Sequence, residues 1–198
     1  FIPGQSNVTV GLLNSETNWE EALDGCSIVI HLAGRAHILN DTSEDPYYEF
    51  NSINTEGTIN LAKQAAKNGV NRFIFVSSIG VNGPKSGEMA ITAQTAINPH
   101  TPYAKSKVKA EIALQKISTE SNMELVIIRP PAIYGKGAPG NFGLIEKFVK
   151  KGLPLPLGSI KNRRSLVYLH NLTSFIAVCV ENKQAAEKVF VIDDNEDL

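Results

Sequence analysis

Three short stretches of the chain are apolar at nearly every position: Ile28-Val29-Ile30, Phe73-Ile74-Phe75-Val76 and Leu125-Val126-Ile127-Ile128. Runs of this length, rich in β-branched and aromatic residues, suit strands covered on both faces, as in a parallel sheet. With their flanks they predict strands over Ser27–Leu32, Arg72–Ser77 and Glu124–Arg129, and Val8–Leu13 and Lys188–Ile192 are two further candidates. Between the strands the period becomes helical. Thr17 is placed to cap a short helix ending at Leu23, with Glu20 and Glu21 in its first turn and Gly25 beyond its end. From Asn54 to Lys67, Ile59, Ala62, Ala65 and Ala66 fall on one helical face, and Asn68-Gly69 supplies the stop. Thr101 and Pro102 form an N-cap and first-turn pair for a helix running to Ser118, and Asn141–Lys151 and Asn171–Glu181 are the remaining helices. Strand and helix alternate, which predicts an α/β fold built on a doubly wound parallel sheet. The Pro/Gly-rich stretches 80–102 and 130–160 are too long for ordinary connections and are candidate substrate-side loops or a small lobe.

Composition narrows the classes of function. The 198 residues are 42% hydrophobic and 20% charged, enough for one domain with a full core. A net charge of -1 offers no general attraction to nucleic acid or to an anionic membrane. No run of 18 apolar residues is present and no secretory leader pattern opens the chain, so a cytoplasmic, non-membrane protein is expected. Cys26 and Cys179 stand far apart in apolar stretches and read as small buried hydrophobes. The four histidines, 31, 37, 100 and 170, lack metal-ligand spacing, so no metal site is expected.

The candidate chemistry lies in Tyr103-Ala104-Lys105-Ser106-Lys107 and, 25 residues before it, Ser77-Ser78. A Tyr and a Lys four apart share one helix face. A nearby ammonium favours phenolate and draws the Tyr pKa down from about 10 towards working pH. A Tyr tuned in this way exchanges a proton with an alcohol or carbonyl, and a serine within reach orients the same oxygen. The spacing alone is common and also fits a surface helix with a solvated Lys. Two features favour the site. Tyr103, Lys107, Ala110, Leu114 and Ile117 form a single stripe whose apolar end must face the sheet. Ser77-Ser78 ends a buried strand on its carboxyl side, where open α/β sheets bind ligands. Gly135-Lys136-Gly137-Ala138-Pro139-Gly140 matches the letter of a dinucleotide phosphate loop, but Pro139 removes one amide donor and no acidic residue follows at the required distance.

Six segments in order carry a resemblance: GCSIVIHLAG (25–34), NTEGTIN (54–60), FIFVSSIGVNG (73–83), YAKSK (103–107), RPPAIYG (129–135) and RSLVYLH (164–170). Together they resemble the extended short-chain dehydrogenases/reductases, in the NAD-dependent nucleotide-sugar epimerase/dehydratase group that includes UDP-glucose 4-epimerases. The resemblance implies a Rossmann-like domain over residues 1–198 whose first β-α-β unit, with the glycine loop, precedes Phe1, and whose residues 130–163 contribute to a small substrate-binding lobe. Tyr103 would be the general acid/base, Lys107 would hold the nicotinamide ribose and tune it, and Ser78, rather than Ser77, would complete the catalytic set. Leu32, Ala33, Gly34, Asn54, Ser77 and Pro130 would line the cofactor, NAD or alternatively NADP. Asn141 and Arg164 would grip the substrate's diphosphate, a role that suits the arginine fork. The implied activity is 4-epimerisation of a UDP-hexose or UDP-N-acetylhexosamine, with 4-ketoreduction or dehydrogenation as the alternative and a non-catalytic dinucleotide binder as a third. A homodimer through the 54–67 and 102–118 helices is implied, as is weak NAD binding by these 198 residues alone. Departures from the pattern are Leu12 in place of an adenine-contacting Asp, and Ala36 and Ala132 in place of a Lys and an Asn of the galactose epimerases. Ile79-Gly80 stands where sugar 4,6-dehydratases carry Asp-Glu, which argues against elimination of water.

Overall fold

The structure, a computed structural model, describes residues 6–36, 43–87, 89–138, 141–154 and 164–195. Its helices are α1 (Glu20–Leu23), α2 (Pro46–Phe50), α3 (Thr58–Lys67), α4 (Pro102–Glu120), α5 (Asn141–Lys150) and α6 (Leu169–Glu181). Its strands are β1 (Ile28–His31), β2 (Arg72–Val76), β3 (Glu124–Arg129), β4 (Ala132–Tyr134), β5 (Leu166–Tyr168) and β6 (Lys188–Val191). Among the described residues the main sheet is four-stranded and wholly parallel, in the order β1-β2-β3-β6. Strand alternation divides the apolar runs between two cores. Phe73, Phe75, Leu125 and Ile127 pack under Leu61, Ala62 and Ala65 of α3 and Ala110 and Leu114 of α4. Ile74, Val126 and Ile128 face the other way, onto Leu172, Ile176 and Cys179 of α6. Helices on both faces of a parallel sheet make this the doubly wound α/β fold that the alternation predicts.

Arg72 explains how α6 is fastened. Its Nη1 donates to the carbonyls of Cys179, Val180 and Asn182, at 2.6, 3.1 and 3.0 Å, while its Nη2 pairs with Glu124 at 2.6 Å. A guanidinium at the C-terminal end of a helix satisfies carbonyls that have no partner within the helix and opposes the negative end of its dipole.

Several expectations are corrected. Val8–Leu13 is not a strand: Val8 and Leu12 are exposed, and among the described residues no strand pairs with the segment. Thr17 does not cap α1, which begins three residues later. Its hydroxyl instead donates to the Leu12 carbonyl and accepts from Asn14 N at 2.9 Å, knotting the 12–17 loop. The helix expected from Asn54 starts earlier, at Pro46 behind an Asp45 cap, and passes through a wide π-helical stretch, Asn51–Gly57, into α3. At Gly57 any β-carbon would stand 2.9 Å from Leu13 Cγ, so the close crossing of the 12–14 loop requires glycine. The Gly-rich 130–154 region holds the strand β4, which pairs in parallel with β5 as a separate two-stranded sheet not foreseen from the sequence. At three residues each, these strands are too short to show a period.

Candidate active site

A cavity of about 810 Å³ opens at the carboxyl ends of β1, β2 and β3. Leu32-Ala33-Gly34 after β1, Val76 to Gly80 at the end of β2 and Pro130 to Ala132 after β3 form its floor and walls, and the first turn of α4 closes one side. Two bonds beyond the strands hold the β2 and β3 ends together: Ser77 N donates to Ile128 O at 2.7 Å and Ile79 N to Pro130 O at 2.9 Å. The helix start that presents Tyr103 is fixed as the sequence predicts. Thr101 Oγ1 accepts from Ala104 N at 3.1 Å, and Pro102 occupies the first turn. The stripe is also as expected, with Lys107, Ala110 and Leu114 buried and Tyr103 half-buried.

Ser78, Tyr103 and Lys107 all line this cavity. The Ser78 hydroxyl accepts from Gly80 N at 3.1 Å, which leaves its proton free to donate to the Tyr103 oxygen. Tyr103 rests edge-on against Phe50, with ring centroids 6.1 Å apart. Its pKa differs from the sequence-based expectation: burial pushes the phenol up, and the Ser78 hydrogen bond offsets this only in part. Lys107 is buried with its ammonium 4.1 Å from the Phe75 ring centroid. Burial lowers its pKa to about 8, against the carboxylate of Glu111, which acts to raise it.

Ser77, Leu32, Ala33, Gly34 and Pro130 also line the cavity, and the Ser77 Oγ is buried there without a hydrogen-bond partner. Asn54, which the resemblance places near the cofactor, is not part of the described lining. Its Oδ1 accepts from Arg35 N at 2.7 Å, and its Nδ2 donates to Arg35 O at 3.0 Å and Ser106 Oγ at 3.1 Å. Ser106 Oγ in turn donates to Tyr103 O at 2.7 Å. Asn54 therefore ties the loop after β1 to the first turn of α4. A β-carbon at Gly34 would stand 3.0 Å from Asn54 Oδ1, so glycine is what lets the loop lie this close. Arg164 is exposed just ahead of β5 and lies outside the cavity lining, and Asn141 is the first residue of α5. The Asn141 side chain lies outside the described residues.

His31 was not singled out from the sequence, yet it is buried under the site. Its Nε2 lies 2.8 Å from Thr58 Oγ1, and its ring stacks on Phe75 with centroids 5.8 Å apart. Burial, and then the Lys107 charge, lower its pKa to about 4. Unfolded, it would take a proton near pH 6.5. Between those values the unfolded chain binds the extra proton, so stability falls as pH drops from 6.5 towards 4, by about 3 kcal/mol at full extent. Denaturant melts across this window should show the loss, and His31→Gln should flatten it; an unchanged slope in the variant would exclude His31 as the source.

Residues 3–193 match the model of the family described as NAD dependent epimerase/dehydratase. This chain belongs to that family. Among curated family relatives, the UDP-glucose 4-epimerase of Vibrio cholerae is 42% identical over 193 residues, a match that covers 96% of this chain and 58% of the relative. The N-acetyl-alpha-D-glucosaminyl-diphospho-ditrans,octacis-undecaprenol 4-epimerase of Escherichia coli O157:H7 is 30% identical, with 96% of this chain and 56% of the relative covered. The chain thus spans just over half the length of these relatives. The crystal structure of UDP-glucuronic acid 4-epimerase from Bacillus cereus in complex with NAD superposes with a TM-score of 0.80 at 22% identity, over 92% of this chain and 59% of that one. It shares the epimerase/dehydratase fold.

Proposed function

We propose that this chain forms the catalytic part of an NAD-dependent nucleotide-sugar 4-epimerase acting on a UDP-hexose or UDP-N-acetylhexosamine. The observation that carries this reading is the convergence of Ser78, Tyr103 and Lys107 on one cavity whose described lining contains no carboxylate. A phenol poised by a serine, with an ammonium beside it, suits reversible proton exchange with a sugar hydroxyl. Elimination of water calls for an acid/base pair, and Ile79-Gly80 beside Ser78 supplies none.

The residues present suit a dinucleotide at its reactive end. Ser77 Oγ is buried there unpartnered and the buried Lys107 lines the same cavity, so two donors there suit ribose-like hydroxyls. The bound dinucleotide would accept a hydride from the sugar C4 and return it. Tyr103 takes the 4-hydroxyl proton as C4 is oxidised and gives it back on the return, with Ser78 holding the oxygen in line. Burial favours the phenol, so the phenolate that accepts this proton forms against that bias, with the Ser78 hydrogen bond in its favour. Pro130 and Ala132 wall the reacting end, and the small side chain at Ala132 leaves room for the sugar to turn. Residues 130–163 contribute to the substrate lobe, with Asn141 and Arg164 gripping the diphosphate. The assembly is a homodimer through the exposed sides of α3 and α4, where Ile112 is uncovered.

Incubation of the protein with UDP-glucose, UDP-N-acetylglucosamine and their 4-epimers tests the reading. Interconversion without net NADH is expected. Stoichiometric consumption of NADPH would replace the epimerase by a ketoreductase on the same residues, and neither reaction would leave a non-catalytic dinucleotide binder.

A further inference from the structure

Three walls of the cavity meet at one buried ion pair that takes no direct part in the proposed chemistry. Arg129, the last residue of β3, leads directly into Pro130. Its Nε donates to Glu111 Oε1 at 3.0 Å and its Nη2 to Glu111 Oε2 at 2.6 Å, with side-chain exposures of 4% for Arg129 and 1% for Glu111. The remaining Nη1 donates to Asn82 Oδ1 at 3.3 Å, and the Asn82 amide donates to Thr95 O at 2.7 Å. Glu111 lies one helical turn beyond Lys107 on α4, and Asn82 closes the turn that begins at Ser78. Each wall therefore contributes one side chain: α4 through Glu111, the end of β3 through Arg129, and the loop after Ser78 through Asn82. None of the three lines the cavity. A buried ion pair adds little net stability over an apolar replacement of the same volume, so its field and its geometry are what distinguish it from ordinary packing.

We propose that Glu111 and Arg129 are positioning residues: the pair fixes the three walls in register, and the Glu111 charge keeps Lys107 in its ammonium form. The consequence for turnover rests on the roles given above to Tyr103 and Lys107. Lys107 is faced by Tyr103 and Glu111 on its own helix, by His31 from β1, by the Phe75 ring from β2 and, beyond Glu111, by Arg129 from β3. Tyr103 is an uncharged phenol, His31 is neutral above about pH 4, and Arg129 repels the ammonium. Glu111 is the group that supports the charge against burial.

An NMR titration of the Lys107 ammonium in the protein, assigned with Lys107→Met, tests this directly. In Glu111→Gln, which keeps the size of the side chain, the midpoint should fall below the wild-type value of about 8, because the favourable charge is gone and Arg129 is left uncompensated. The alkaline limb of kcat/KM should move to lower pH with it. If Glu111→Gln does not fold, the neutral pair Glu111→Gln with Arg129→Met should still show a lowered midpoint. A midpoint and alkaline limb equal to wild type, in whichever variant folds, would overturn the proposal and leave the pair a packing element. Because the titration reads Lys107 itself, its result stands whether or not the protein epimerises a sugar.

Discussion

If the proposed 4-epimerisation is this protein's reaction, Tyr103→Phe lowers its turnover by about 10²–10⁴-fold, the range typical for loss of a positioned general acid/base. The ring that rests against Phe50 is kept and only the hydroxyl facing Ser78 is removed, so the fold and the thermal midpoint should stay close to wild type. The loss should fall on kcat and kcat/KM together, since the proton moves in the transition state and not in binding. Progress curves followed by separation of the two sugar nucleotides give the measurement. Turnover within a few-fold of wild type would remove Tyr103 from the mechanism and leave Lys107 and the Ser78 hydroxyl without a partner to act on.

Phe75→Ala destabilises the protein by about 3–5 kcal/mol, the usual cost of deleting a fully buried aromatic ring. Phe75 is 0% exposed, and its ring carries His31 on one contact and the Lys107 ammonium on another. The effect is thus both a cavity and the loss of a support beneath the site. Phe75→Leu separates the two, since it refills most of the volume and removes only the ring, whose attraction for a desolvated cation is about 2 kcal/mol. Urea melts at neutral pH compare the variants. A loss below about 1 kcal/mol for Phe75→Ala, well under the usual cost for a buried ring, would mean that the neighbouring helices collapse into the space.

Much of this architecture was legible because burial writes itself into composition. The three runs centred on Val29, Ile74 and Val126 are strands paired in parallel, and the stripe from Tyr103 to Leu114 faces inward as its spacing demands. That Ser77-Ser78, Tyr103 and Lys107 would meet follows from two rules, the helical period and the strand-end location of ligand sites, whereas the choice of Ser78 over Ser77 rests on the family resemblance. What escaped notice depends on pairs distant in sequence. The alternation at Val8, Val10 and Leu12 reads as a strand, but pattern cannot report whether a partner lies beside it. The bonds of the Asn54 amide to Arg35 and Ser106, which tie the loop after β1 to α4, are likewise invisible in the sequence. Glu111 was within reach of inference, four residues after Lys107 on one helix face, and Arg129 was the charge closing an otherwise apolar strand. Their meeting could not be read, because it joins elements through the tertiary fold. The rise in the Tyr103 pKa is hidden for a related reason: the desolvation that outweighs the Ser78 hydrogen bond exists only once the helix is packed.

The order of the main sheet also constrains how the chain can reach this state. Ile28 is joined to Arg72, Arg72 to Glu124 and Val126 to Lys188, so every neighbouring strand is about 44 to 62 residues away along the chain. No hairpin is available as a starting point in this sheet, and the first pairing must close a long loop. Closing the longest of these loops costs only about 0.3 kcal/mol more than closing the shortest. Loop length therefore does not choose which pair forms first. That choice falls to the crossover helix able to cover the most apolar surface as it closes, and α4, 19 residues long and seated between β2 and β3, is the strongest candidate. On this account the helix that carries Tyr103 is also the one around which the sheet is first assembled.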